Sequence, residues 1–217
     1  MEVSMATLVS TVYSDLKNKI QTGELPPSSR LHEQELSQLY SVSRNTIKKA
    51  LLMLENEGLV VIEENKGAKV RTYSMEEVLE YLDIRSCLEG FIVERAVPVI
   101  TEDEIKKMEQ ILATMKEYYN RHELLAYSQN NQKFHKVIYD ACPNRTAVNM
   151  VVALKTQMSK YNTKTILIPG RDTQSFQEHS QILQAIKNHD PEQAKQCMIT
   201  HVLNVRKTFE DNYQLLF

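Results

Sequence analysis

At Gly58 the hydrophobic pattern of this 217-residue chain changes period, and that change restricts the fold more than any other feature. Upstream, Leu8, Val12, Leu16 and Ile20 recur at a four-residue step, which makes one face of a helix from about residue 5 to residue 22. Leu25-Pro26-Pro27-Ser28-Ser29 cannot prolong it, because the two prolines lack amide protons and fix the backbone. A short helix from about Glu33 to Tyr40 follows, with Leu36 and Leu39 expected to face inward. Ser41-Val42 reads as a tight turn, and Ser43 offers its hydroxyl as N-cap to a third helix that runs to about Glu57. Beyond Gly58 the run Leu59-Val60-Val61-Ile62 is rich in β-branched residues, Glu64-Asn65-Lys66-Gly67 is a turn, and Ala68-Lys69-Val70-Arg71 is a second strand. Three helices followed by a hairpin is the element order of a winged helix-turn-helix.

From Ser74 onward the pattern is helix after helix. Six are expected, at about 75 to 97, 102 to 120, 123 to 141, 145 to 163, 174 to 188 and 191 to 213. Pro98, Pro143, Pro169-Gly170 and Pro191 punctuate them, and Asp190 is placed to cap the helix that Pro191 opens. Ser74 precedes Glu77 by the spacing of a capping box. The expected fold is therefore mainly α: a winged helix-turn-helix over residues 1–73 and an all-helical six-helix bundle over 74–217, with almost no linker.

Composition narrows the function classes. Five glycines disfavour a turn-rich all-β protein, and no apolar run approaches the roughly 20 residues that span a bilayer. The amino-terminal segment has acids and amphipathic spacing rather than a basic end and an apolar run, so no secretion signal is expected. Cys87, Cys142 and Cys197 form no paired motif and are expected as buried thiols in a reducing cytoplasm. The formal net charge of -2 shows no basic excess, so charge has to be read locally. Between Ser43 and Leu54 stand Arg44, Lys48 and Lys49, and no acid.

In a winged helix-turn-helix the third helix enters the major groove with its first residues nearest the base edges. Ser43, Arg44, Asn45, Thr46, Lys48 and Lys49 occupy that end. Arg44 can donate two parallel hydrogen bonds to guanine, Asn45 can pair with adenine, Ser43 and Thr46 suit phosphate or base contacts, and the two lysines suit phosphates. Lys66-Gly67 would bring a cation and bare backbone to the minor groove or sugar-phosphate edge. The alternative is a solvated basic face on an interaction helix.

The stretch GELPPSSRLHEQELSQLYSVSRNTIKKALLMLENEGLVVIEENKGAKV resembles the DNA-binding domain of the GntR family of bacterial regulators. The likeness lies in G-x-L-x-P with R-L following, E-x-x-L, V-S-R-x-T, the A-L-x-x-L-E-x-E-G-L-V ending and the N-x-G-x-x-V wing. It implies a homodimer reading two operator half-sites, with contacts carried onto Arg44, Thr46, Lys48 and Gly67. Gln34 stands where several members place a phosphate-binding arginine, and Lys48-Lys49 replace the usual arginine-glutamate pair.

The remainder resembles the FadR-type effector domain, called FCD, through IRSCLEGFIVERA, NQKFHKVIYDACPN and QEHSQILQAIKNHDPEQAKQCMITH; the helix count and short linker resemble its VanR-like branch. Asn131 and His135, four apart, share a helical face, and His179 and His201 fall on the fifth and sixth expected helices. Three imidazoles and an oxygen donor suit a divalent transition metal such as zinc, nickel or manganese, while a histidine taken singly is more often a hydrogen-bonded core residue or a surface residue. Many members of the family use an aspartate and three histidines, so Asn131 puts a neutral amide where they have a carboxylate. Arg85 resembles an arginine that faces a carboxylate effector in some relatives, and it is also spaced to pair with Glu89. The expected function is a transcriptional regulator, a repressor by the family's commoner habit, whose grip on operator DNA responds to a small organic acid. Two alternatives stand beside it: a metal-free ligand-sensing and dimerisation domain, and a metal-dependent enzyme with Glu178 as base.

Overall fold

The computed structural model of the protein describes residues 5–63, 66–158, 161 and 164–216. It divides into two compact units, Met1–Ser74 and Met75–Phe217, each with its own hydrophobic core.

The first unit runs α1 (Met5–Thr22), β1 (Arg30–Leu31), α2 (Glu33–Leu39), α3 (Arg44–Asn56), β2 (Val60–Glu63) and β3 (Gly67–Val70). The four-residue step of α1 buries Val12, Leu16 and Ile20 in a core with Ile47, Ala50, Leu51 and Leu54 of α3. Each of these larger aliphatic side chains contributes about 1.5–3 kcal/mol when fully buried. Ser43 caps α3 as the sequence predicts, accepting the Thr46 amide at 3.1 Å. The strands form an antiparallel sheet of order β1-β3-β2, with Val60 opposite Val70 and Glu63 opposite Gly67. The two-residue β1 escapes the sequence pattern because it is too short to show alternation; it pairs Arg30 with Lys69. Leu39 does not face inward as expected. It is 67% exposed while Leu36 is buried, because the seven-residue α2 offers one narrow stripe to the core, and Tyr40 continues that stripe instead. The wing residues 64 and 65 lie outside the described residues.

The second unit is helical throughout its described residues: α4 (Met75–Ala96), α5 (Glu102–Asn120), α6 (Leu124–Ala141), α7 (Arg145–Gln157), α8 (Arg171–Lys187), α9 (Pro191–Asp211) and the four-residue α10 (Tyr213–Leu216). Asp190 caps α9 through the Gln193 amide at 2.9 Å. The helix expected over 145 to 163 ends at Gln157, and residues 159, 160, 162 and 163 of that range lie outside the described ones. The helix expected from 174 begins at Arg171, and Asp172 accepts the Thr173 amide inside its first turn. The helix α4 buries residues around most of its circumference, including the polar Arg85, Ser86 and Glu89, which marks a central helix rather than an outer one. Gly90 allows this, since a Cβ there would stand 2.7 Å from Cγ1 of Ile199 on α9. Of the three thiols only Cys142 is fully buried; Cys197 is partly covered, and Cys87 is exposed because it sits on the outward strip of α4. None of the described helices is long and apolar enough to cross a membrane.

Candidate DNA-reading surface and buried histidine centre

Arg44, Asn45, Lys48 and Lys49 are exposed along one end of α3, as is the capping Ser43. Thr46 departs from expectation: it is buried, and its hydroxyl lies 2.9 Å from Ser43 Oγ. It closes the cap and rigidifies the start of the helix, so its side chain is not presented outward. Arg44, Lys48, Lys66 and Gly67 line a single open cleft, which also takes in Arg30. Arg30 is the residue that pattern reading missed, because its strand is two residues long. The cleft carries acids as well. Glu33 stands 3.4 Å from an Arg44 nitrogen, and Glu55 accepts the Ile62 amide at 2.8 Å.

The second unit brings three of the four expected metal ligands together. His135 on α6, His179 on α8 and His201 on α9 are all buried, and a set of their ring nitrogens lies within 4.8 Å of one another. The outer nitrogens decide the tautomers. His179 Nδ1 lies 2.6 Å from the Ser175 carbonyl, and His201 Nδ1 lies 2.7 Å from Glu178 Oε2. Both partners only accept, so both Nδ1 atoms carry the proton. His135 Nδ1 approaches Glu89 Oε2 to 3.0 Å without the alignment of a hydrogen bond. A lone pair cannot face a carboxylate that closely, so this nitrogen is protonated too. Every Nε2 then carries a lone pair, and those of His135 and His179 stand 3.2 Å apart. Three convergent imidazole lone pairs, each oriented from behind by an acceptor, are the arrangement that fits a transition metal.

The supporting carboxylates are themselves fixed. Glu89 accepts from Tyr139 at 2.7 Å and pairs with Arg85, and the half-buried Lys155 reaches Tyr139 at 3.0 Å. Burial pushes the Glu89 carboxyl up, but Arg85, Lys155 and His135 outweigh it and hold Glu89 well below the usual carboxylate range. Glu178 shows the same contest: burial raises it, and His201 with Arg171 brings it below its ordinary value. Its oxygens are engaged by His201, by Arg171 at 2.8 Å and by Asn204 at 2.8 Å. A carboxylate held this way orients an imidazole rather than serving as a base. The sequence marks Glu89 only as a partner for Arg85 and Glu178 only as a possible base; that each faces an imidazole on another helix does not show in it.

Asn131, a turn before His135, is partly exposed, but its Oδ1 is buried and has no hydrogen-bond partner among the described residues. It lines a small cavity of about 40 Å³ together with His201, Arg85, Arg171, Ser175 and Thr165. Arg85 pairs with Glu89, as its spacing allows, and it also lines this cavity. Of the remaining histidines, His122 and His189 are exposed and His32 is partly covered.

A winged helix-turn-helix with a separate helical unit built around a buried polar cavity defines the class of ligand-responsive transcriptional regulators. Residues 8–70 match the gntR family of bacterial regulatory proteins, and residues 80–204, more than half of the chain, match the FCD domain. The chain belongs to the GntR family, in the branch that carries an FCD domain, and is a transcriptional regulator. It is 28% identical over 190 residues to the HTH-type transcriptional regulator YdhC of Bacillus subtilis, covering 87% of this chain and 85% of that one. The gluconate operon transcriptional repressor of Bacillus subtilis is 25% identical over 214 residues, covering 96% and 88%. Among solved structures, E. coli McbR/YncC superposes with a TM-score of 0.78 at 21% identity, covering 97% of this chain and 99% of that one, which shows the shared fold.

Proposed function

We propose that the chain acts as a homodimeric repressor whose hold on operator DNA is relieved when a small organic acid binds beside a metal in the second unit. The metal would be held by His135, His179 and His201 with Asn131 as an oxygen donor, and zinc, nickel and manganese all accept such a set. When bound, the ion would supply a fixed positive charge for an anionic ligand. The observation that carries this reading is the convergence of three buried imidazoles, with the Nε2 lone pairs of His135 and His179 facing each other and no proton between them. The orphaned Oδ1 of Asn131 supports the fourth position. A relative named for a gluconate operon supports the choice of a carboxylate ligand. In the first unit, Arg44 and Asn45 would read bases, with Ser43, Lys48, Lys49 and Arg30 on phosphates and Lys66-Gly67 at the adjoining groove.

The test joins metal content to DNA binding. Protein purified with zinc, nickel or manganese supplied should retain one ion per chain after dialysis, and His179→Ala should retain none. Binding to an operator selected from random duplexes should weaken when an organic acid is added to the metal-loaded wild type and stay unchanged for the variant. Dialysed wild-type protein that holds no metal under those conditions removes the metal from this reading and leaves the DNA-binding half standing.

A further inference from the structure

Asn131 Oδ1 and Arg171 Nη1 are both buried side-chain atoms with no hydrogen-bond partner among the described residues, and both residues line the same small cavity. Arg171 is 4% exposed. Buried polar atoms are almost always paired, so two on one wall call for a guest. They call for guests of opposite kind. The amide oxygen is an acceptor and suits a cation, while the guanidinium nitrogen is a donor on a cation and suits an anion.

A charge count shows that the two guests depend on each other. Arg85 pairs with Glu89 and Arg171 with Glu178, so both carboxylates are already matched by guanidinium groups before Lys155, whose charge also acts on Glu89, is counted. The imidazoles bring no charge as ligands, since each has an acceptor behind its Nδ1 and would give the other nitrogen's lone pair to the ion. Asn131 brings no charge. A divalent ion on this set would keep both of its charges inside the fold, where uncompensated charge is costly. A carboxylate at position 131 would remove one of them; the amide removes none. What is missing is an anion, and the nitrogen placed to receive it is Arg171 Nη1.

We infer that the cavity takes a small carboxylate anchored on Arg171, and that, because Asn131 is neutral, this protein holds its metal and its carboxylate only weakly apart and tightly together. The inference rests on the metal reading above. Cooperation of this kind is reciprocal: whatever the carboxylate adds to metal affinity, the metal adds to carboxylate affinity. The regulator would then respond to the coincidence of the two. The size of the cavity, about 40 Å³, sets the anchored part of the ligand at a few non-hydrogen atoms.

Zinc titration of the full chain by calorimetry tests this, with acetate in excess against its neutral isostere acetamide at matched ionic strength. Acetate fits the volume and chelates free zinc weakly. The expected result is zinc affinity raised about 5- to 150-fold by acetate and unmoved by acetamide. Asn131→Asp should bind zinc more tightly without acetate and lose most of the acetate response. Arg171→Lys should still bind zinc and lose the acetate response. Circular dichroism checks that each variant is folded; if either is not, the acetate and acetamide comparison on the wild type decides alone. Stoichiometric zinc binding that acetate leaves unchanged overturns the coupling while the metal reading survives. An acetate response that persists in folded Asn131→Asp overturns the role given to the neutral amide. No zinc bound by wild type or by Asn131→Asp, in either solution, overturns the metal reading itself.

Discussion

His135 Nε2 and His179 Nε2 stand 3.2 Å apart, and neither has a proton to give the other, because each ring keeps its proton on the opposite nitrogen. Burial, reinforced by Lys155, pushes His135 down to about 3; burial and the neighbouring imidazoles put His179 well below its ordinary value; burial lowers His201 against the opposing pull of Glu178. The folded pKa values lie below the unfolded value of about 6.5, so unfolded chains bind more protons in the window between. Stability is complete above pH 6.5 and is lost as pH falls from there toward about 3, the folded value of His135. Each histidine adds a slope of up to about 1.4 kcal/mol per pH unit. Urea midpoints of the metal-free protein should therefore fall steadily from pH 6.5 to pH 5, and His201→Asn should flatten the trend. A midpoint that holds level across that range contradicts the neutral, buried imidazoles.

Glu89 makes a sharper case, since it touches His135, Arg85 and Tyr139 at once. Glu89→Gln keeps the shape and removes the charge that orients His135 from behind. Losing an outer partner of a metal-bound histidine costs about 10–100-fold in metal affinity. Competition against a chelator of known affinity should show a loss of that size, with His179→Ala far worse. The readout distinguishes orientation from packing: Glu89→Gln should also lose affinity for zinc more than stability, whereas a purely structural Glu89 would lower the urea midpoint and leave zinc affinity intact.

How much of this was legible in advance follows from the range of the interactions. Ser43 and Asp190 cap helices through residues three positions on, so their roles show in a short window. The same holds for Arg85 and Glu89, one helical turn apart. Convergence of His135, His179 and His201 depends on how α6, α8 and α9 pack, and spacing along the chain cannot supply that. The orienting role of Glu178, and of Arg171 behind it, is hidden from the sequence for a similar reason, because it comes from His201 on another helix. Leu39 and Cys87 are exposed against expectation because apolar character alone does not say which side of a helix is covered.

Arg44 and Lys48 separate the two kinds of DNA contact. Arg44→Ala should cost about 1–3 kcal/mol at a guanine-containing position and relax the preference there. Lys48→Ala should weaken all duplexes alike and reduce the slope of log affinity against log salt by about 1. Glu33 bears on the first of these, because it faces Arg44 at 3.4 Å in the free protein. Glu33→Gln should raise affinity for random duplex by freeing the guanidinium and thereby shrink the ratio of specific to non-specific binding. Fluorescence anisotropy with operator and scrambled duplexes at several salt concentrations measures all three. Equal losses on both duplexes for Arg44→Ala would make it a phosphate contact and not a base reader.

Gly67 supports the wing in a way that can be isolated from DNA contact. Its φ is +86°, in the region that side chains avoid, and a Cβ would stand 2.7 Å from the Leu31 carbonyl oxygen on the neighbouring β1. That oxygen belongs to backbone and cannot swing aside. Gly67→Ala must therefore move the wing or strain it, at a cost of about 1–3 kcal/mol. The first unit should show the loss as a lower melting temperature. The cleft that Gly67 lines with Arg30 and Lys66 should open with it, so DNA affinity should fall even though no charge has been removed. Lys66→Ala gives the complementary result: unchanged melting, weaker DNA binding and a smaller salt slope. If Gly67→Ala melts at the wild-type temperature and binds operator normally, β1 yields more easily than its carbonyl contact implies, and the wing is not held by that glycine.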